Sequence, residues 1–182
     1  MQQIKNVKKA ANTGFTLIEI LVVIGMIALL AAIVIVAINP ARQFAQGRNT
    51  QRTSNVNTIL NAIGQNIADN KGVFTCGSVD LAASVKYICA GDNCKDKNGD
   101  DVDAADAIDL ACVTPTYVPA LPFDPNGADY YWTLKTDYNT GYTVQLVEGS
   151  RVQICAPGAS IETALDLDGD DTVDDPAICV TR

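Results

Sequence analysis

Nineteen consecutive residues, from Ile20 to Ile38, carry no charged side chain. As a helix rising about 1.5 Å per residue, this run spans roughly 28 Å, close to the hydrocarbon thickness of a bilayer. Lys5, Lys8 and Lys9 precede the run, and the first acid, Glu19, comes only after them. The excess of positive charge predicts that the N-terminus stays on the cytoplasmic side while the C-terminal part crosses the membrane. An ordinary secretory signal carries its small-residue cleavage site after the apolar run. Here the lysines and the small residue Gly14 both come before it.

One carboxylate, Glu19, stands at the very start of the apolar run. It has two readings. In the first, Glu19 is an interfacial acid whose side chain reaches the headgroups. In the second, it is an intramembrane carboxylate that costs a few kcal/mol unless a cation meets it. Cleavage after Gly14 would create such a cation, the α-amino group of Phe15. That amine of a neighbouring copy, shifted by about one helical turn, would meet Glu19 and set the stagger of an ordered polymer.

The stretch "KKAANTGFTLIEILVVIGMIALLAAIVI" resembles the class III signal of type IV prepilins and type II secretion pseudopilins. Gly14, Phe15, Thr16, Leu17, Ile18 and Glu19 stand where that family has a glycine, a phenylalanine and, at the fifth mature position, a glutamate. The resemblance implies that prepilin peptidase cuts between Gly14 and Phe15 and N-methylates Phe15. It further implies that Phe15 and Glu19 serve assembly and that the apolar helix is retained as membrane anchor and filament core. The expected division is a leader over residues 1–14, a membrane and filament-core helix over 15–39, an amphipathic half over 40–72 and a globular head over 73–182.

Pro40 lacks a backbone donor, so a kink or local melting is expected around residues 36–40. Beyond it Val56, Ile59, Leu60, Ile63 and Ile67 recur at helical spacing, which predicts a core-facing stripe and leaves Asn57, Asn61 and Asn66 elsewhere. Gly72 suits the left-handed C′ position of the helix end. A helix from residue 15 to 71 would be roughly 85 Å long, far more than a small domain can bury. That length by itself argues for lipid or other copies around its first half.

In the head, "YYWTLKTDYNTGYTVQLVEG" reads as two strands around a turn at Asp137 to Gly141, and "RVQICA" as a further strand. The segment between Phe74 and Cys112 reads as loops with a short helix. "LPFDPNG" is a loop; it resembles the loop before the sheet in many major pilins. The expected fold class is α+β, a long N-terminal helix packed on a small antiparallel sheet. Tyr130, Tyr131, Trp132, Tyr138 and Tyr142 sit at strand spacing and are expected to pack that sheet.

Six cysteines, Cys76, Cys89, Cys94, Cys112, Cys155 and Cys179, are even in number and absent from the apolar run. The chain has no histidine, and the paired C-x-x-C knuckles of common zinc sites are missing, so disulfides in an oxidising compartment fit better. Six cysteines allow fifteen pairings; Cys89 with Cys94 and Cys155 with Cys179 are the two that suggest themselves.

Eighteen of the 21 acids lie beyond residue 90. An acidic head repels phosphate, which argues against direct nucleic-acid binding and leaves only Arg42, Arg48 and Arg52 for such contact. "DKNGDD" at Asp96 to Asp101 and "DLDGDD" at Asp166 to Asp171 resemble the opening of a calcium loop, in which alternating oxygens wrap the cation. Candidate ligands are Asp96, Asn98 and Asp100 in the first loop and Asp166, Asp168, Asp170 and Asp174 in the second. Both loops place aspartate where the EF-hand has its sixth-position glycine, and alanine, Ala107 and Ala177, where it has its bidentate glutamate. A solvated acidic surface is the competing reading.

No histidine, activated nucleophile or phosphate loop marks an enzyme. The expected protein is a structural subunit, inserted in the bilayer as a precursor and processed by prepilin peptidase. The inner-membrane assembly machinery would then polymerise it into a helical homo-oligomer, for adhesion, motility or DNA uptake. A type II secretion pseudopilin and a membrane-tethered calcium-binding module that does not polymerise are the alternatives.

Overall fold

The computed structural model describes residues 14–148, 150–161 and 177–182. It forms two compact units that divide after Pro40.

The first unit is built on α1, Leu17–Ile38. Thr16 caps it: the backbone there is extended, and the side-chain oxygen accepts from the Glu19 N–H. The helix is apolar all round, and its most apolar stretch, Leu17–Ile35, is wholly unburied. This is one helix long and apolar enough to span a membrane. It stops at Asn39, which adopts a left-handed conformation (φ 45°). A residue before proline is pushed out of the helical region, and asparagine tolerates the left-handed one better than most. The interruption expected around residues 36–40 therefore falls on a single residue.

The second helix, α2, runs Pro40–Asp69 and starts with its proline, where the missing N–H costs nothing. It belongs to the same compact unit as the head. Val56, Ile59, Leu60 and Ile63 are buried as the spacing predicts, and Ile67 packs half-buried against them. Asn66 departs from that reading. It is buried, its amide donating to the Thr75 carbonyl and its carbonyl oxygen accepting from the Thr75 N–H. This pair of bonds holds the segment that leaves the helix. The helix end also differs from expectation by one residue. The Gly72 N–H reaches back to the Ile67 carbonyl (2.8 Å), so Lys71 (φ 60°) holds the left-handed C′ position and Gly72 follows it.

The head is α+β, with β1 Lys86–Ala90, β2 Ala107–Ile108, β3 Tyr131–Leu134, β4 Asp137–Val147, β5 Arg151–Ala156 and β6 Ile178–Thr181. The strand order is β2-β1-β4-β5-β6, with β3 also on β4. The sheet is mixed rather than antiparallel, because β1 and β2 run parallel. Both strands lie in the segment expected to be loops; at five and two residues they are too short to show a period of two.

The turn expected at Asp137 to Gly141 is not there. The backbone turns at Lys135 and Thr136 instead, and Asp137 to Gly141 opens the eleven-residue β4. Gly141 sits inside that strand at φ 73°. A β-carbon there would come within 2.9 Å of the Tyr130 ring, so the glycine marks a close approach and not a turn.

The face of α2 and the sheet share one core, in which Val56, Ile59 and Ile63 meet Ile88, Tyr138, Tyr142, Val144 and Ile154. Each such aliphatic side chain contributes about 1.5–3 kcal/mol on burial. Three disulfides staple the head: Cys76–Cys112, Cys89–Cys94 and Cys155–Cys179. The last joins β5 to β6 at paired positions of the ladder. The first ties the segment just after α2 to the one after β2.

Candidate assembly site

The N-terminal end of α1 brings the residues singled out in the sequence into one short stretch. Gly14 and Phe15 precede the helix and are exposed, so the bond between them lies outside hydrogen-bonded structure. Nothing approaches within 4 Å of a β-carbon built on Gly14. An exposed, non-helical peptide bond is the form in which a protease can take a substrate strand.

Glu19 occupies the third helical position after the Thr16 cap, its N–H 3.3 Å from Thr16 Oγ1. The residues thus read T-x-x-E, a capping-box spacing that neither membrane reading of Glu19 takes into account. A carboxylate in the first turn is also favoured by the helix dipole. Among the described residues its carboxylate has no hydrogen-bond or ion-pair partner. The structure thus gives Glu19 a local reason to stand there and leaves its charge available.

In the head, the polar groups serve cohesion. Arg52 is wholly buried and forms a two-pronged pair with Asp124: Nε to Oδ2 at 2.7 Å and Nη2 to Oδ1 at 2.8 Å. Its Nη1 donates to Asn49 Oδ1 at 2.7 Å. One turn on, Asn55 donates to the Phe123 carbonyl and to the Tyr142 hydroxyl. Asn49, Arg52 and Asn55 together clamp α2 to the "LPFDPNG" loop. Arg52 is therefore not available for phosphate, which removes one of the three arginines considered for nucleic-acid contact. Gly158 completes the clamp, since a β-carbon there would come within 2.7 Å of the Asp124 carboxylate. Sequence reasoning missed this pair because its members lie 72 positions apart and each looks like an ordinary surface charge.

The aromatic residues pack the sheet as expected. Tyr138 and Tyr142 are fully buried, Tyr130 is buried, and the Trp132 and Tyr138 rings lie 4.8 Å apart. The Tyr138 hydroxyl donates to Asp109 Oδ1 (2.7 Å) and accepts from the Leu110 N–H. Burial lifts the pKa of the Tyr130 hydroxyl to about 12, with nearby Asp124 and Asp96 adding to it. Burial raises that of Tyr138 further, helped by its bond to Asp109. It also raises that of Tyr142, opposed in part by the Asn55 amide.

In the unfolded state these hydroxyls ionise near pH 10, so above that pH the folded state holds protons the unfolded state has lost. Their contribution is fully present below about pH 10 and is lost as pH rises from there toward the folded values. The melting temperature should stay level to about pH 9 and fall steeply above about 10, with tyrosinate absorbance appearing on unfolding. A level melting temperature to about pH 12 would show that the hydroxyls ionise freely in the folded state.

The first aspartate loop is ordered by its own backbone. Asp96 Oδ1 accepts from the N–H groups of Asn98 (2.8 Å) and Asp100 (2.9 Å), and Asn98 Nδ2 donates to Asp96 Oδ2. Lys95 pairs with Asp101. Among the described residues no three carboxylate or thiol groups gather as a metal cluster. Asp166, Asp168, Asp170 and Asp174 of the second loop lie outside the described residues.

Neither a known family model, nor a curated protein, nor a solved structure matches this sequence.

Proposed function

We propose that this protein is a subunit of a type IV pilus-like filament, cut after Gly14, methylated on Phe15 and polymerised through α1. The observation that carries this reading is the stretch Leu17–Ile35, apolar on every side and unburied, with Glu19 in its first turn. Such a surface needs lipid or copies of itself, and a charge in the first turn gives stacked copies a register. The three disulfides suit a head delivered to an oxidising compartment. The partners are then the bilayer, prepilin peptidase, the inner-membrane assembly machinery and further copies of the same protein. The polymer serves as a structural fibre for adhesion, motility or DNA uptake, not as an enzyme.

Calcium belongs to this proposal as a head-stabilising ion of the two aspartate loops. Melting the full-length protein in detergent with calcium and then with a chelator should separate the two curves. Superimposable curves would remove calcium from the reading.

The intact mass of filaments sheared from the cell surface tests the proposal as a whole. The expected species starts at Phe15, carries one extra methyl and lacks six hydrogens for its three disulfides. A species starting at Met1 would overturn processing. Protein confined to the membrane fraction, with surface fibres lacking it, would favour the pseudopilin reading.

A further inference from the structure

The sequence contains two Asn-Gly steps, Asn98–Gly99 and Asn126–Gly127, both exposed. With no side chain on the following residue, the glycine nitrogen can reach Cγ of the asparagine. The fold treats the two steps differently.

At the first step both reacting groups are held by Asp96. The Gly99 N–H donates to the Asp96 carbonyl (3.2 Å), and Asn98 Nδ2 donates to Asp96 Oδ2 (3.3 Å). At the second step the Asn126 amide and the Gly127 N–H have no hydrogen-bond partner among the described residues. Only the Asn126 backbone N–H is engaged, by Asp124 Oδ1 at 2.9 Å. Gly127 is also fixed as glycine by packing, since a β-carbon there would come within 2.4 Å of the Tyr130 ring. The fold thus requires the small residue that makes its neighbour reactive.

We infer that Asn126–Gly127 is a self-modification site at which the protein slowly deamidates, while Asn98–Gly99 is protected. The Gly127 nitrogen gives its proton to solvent base and attacks Asn126 Cγ. The Cγ–Nδ2 bond breaks and the nitrogen leaves as ammonia, giving a five-membered imide. Water then opens either imide carbonyl, leaving aspartate or isoaspartate at position 126. No oxidant or reductant is involved.

The product matters because of where it sits. Asp124 Oδ1 already accepts from Asn126 N–H and Arg52 Nη2. A new carboxylate beside this buried pair, or a backbone lengthened by one methylene, loosens the clamp between the loop and α2.

The test incubates the full-length protein in detergent in mildly alkaline heavy-oxygen water, followed by peptide mapping. Native protein should take up label at Asn126 about tenfold or more faster than at Asn98, a ratio worth about 1.4 kcal/mol in barrier. Reduced, urea-unfolded protein should label both at similar rates. A native ratio near one, faster labelling at Asn98, or no labelling at either step would overturn the inference. Asn126→Gln should abolish the native label, and Asn98→Gln should leave it unchanged. Aged native protein should melt at a lower temperature than fresh, and aged Asn126→Gln should not. Equal melting of labelled and fresh protein would overturn the effect on the clamp.

Discussion

Glu19→Ala is expected to leave the protein in the membrane and to cut filament yield by about tenfold or more. If the amine of a neighbour's Phe15 meets this carboxylate in the assembled core, alanine strands that amine unpaired in hydrocarbon. A stranded charge there costs at least a few kcal/mol, and each 1.4 kcal/mol is about a factor of ten in the assembly equilibrium. The Glu19 N–H to Thr16 bond survives the change, and losing a first-turn carboxylate's interaction with the helix dipole costs only about 0.3–1 kcal/mol, and locally. Glu19→Gln isolates the charge, because glutamine keeps the side chain's size and polarity and removes the charge. Quantifying sheared filaments beside membrane-fraction protein would read both variants. Wild-type yield from Glu19→Ala would sink the pairing mechanism. Wild-type yield from Glu19→Gln would show that assembly does not use the Glu19 charge.

Breaking the buried clamp is expected to have the largest effect on the head. Asp124→Leu leaves the Arg52 guanidinium buried without the carboxylate that meets two of its nitrogens, which costs about 3–5 kcal/mol. Arg52→Met leaves the Asp124 carboxylate equally stranded, with the Asn126 N–H as its remaining partner among the described residues, and should cost a similar amount. The double variant, Arg52→Met with Asp124→Leu, removes both charges at similar volume and should recover most of the loss. Denaturant melts of the four proteins form a closed cycle. Single variants that lose less than about 1 kcal/mol would mean the pair is open to water and behaves as a surface bridge.

Much of the first unit could be read directly from the residues. The charge-free run from Ile20 to Ile38 is a local property, and so are the cap at Thr16 and the break before Pro40. The α2 stripe was equally legible because helical periodicity repeats several times over its length. The head was harder. β1 and β2 are five and two residues long, too short for alternation to stand out. The aspartates and glycines between them read as loop, which is true of everything except the strands. Gly141 misled because glycine in a polar stretch usually marks a turn, whereas here it makes room for a ring eleven residues earlier. The candidate site divides the same way. Gly14, Phe15 and Glu19 are contiguous and carry their pattern with them. The T-x-x-E spacing that places the Glu19 N–H against Thr16 is equally local.

Residue types alone marked a run apolar enough to span a membrane, the break of the helix before Pro40 and six cysteines suited to pairing. Each of these depends on residue type and near neighbours. It took the folded chain to make Arg52 a buried partner of Asp124 and not a surface cation, to set Asn66 at the helix exit, and to hold the two Asn-Gly steps differently. These depend on groups brought together from distant positions, and burial changes what a charge, an amide or a hydroxyl can do without changing its name in the sequence.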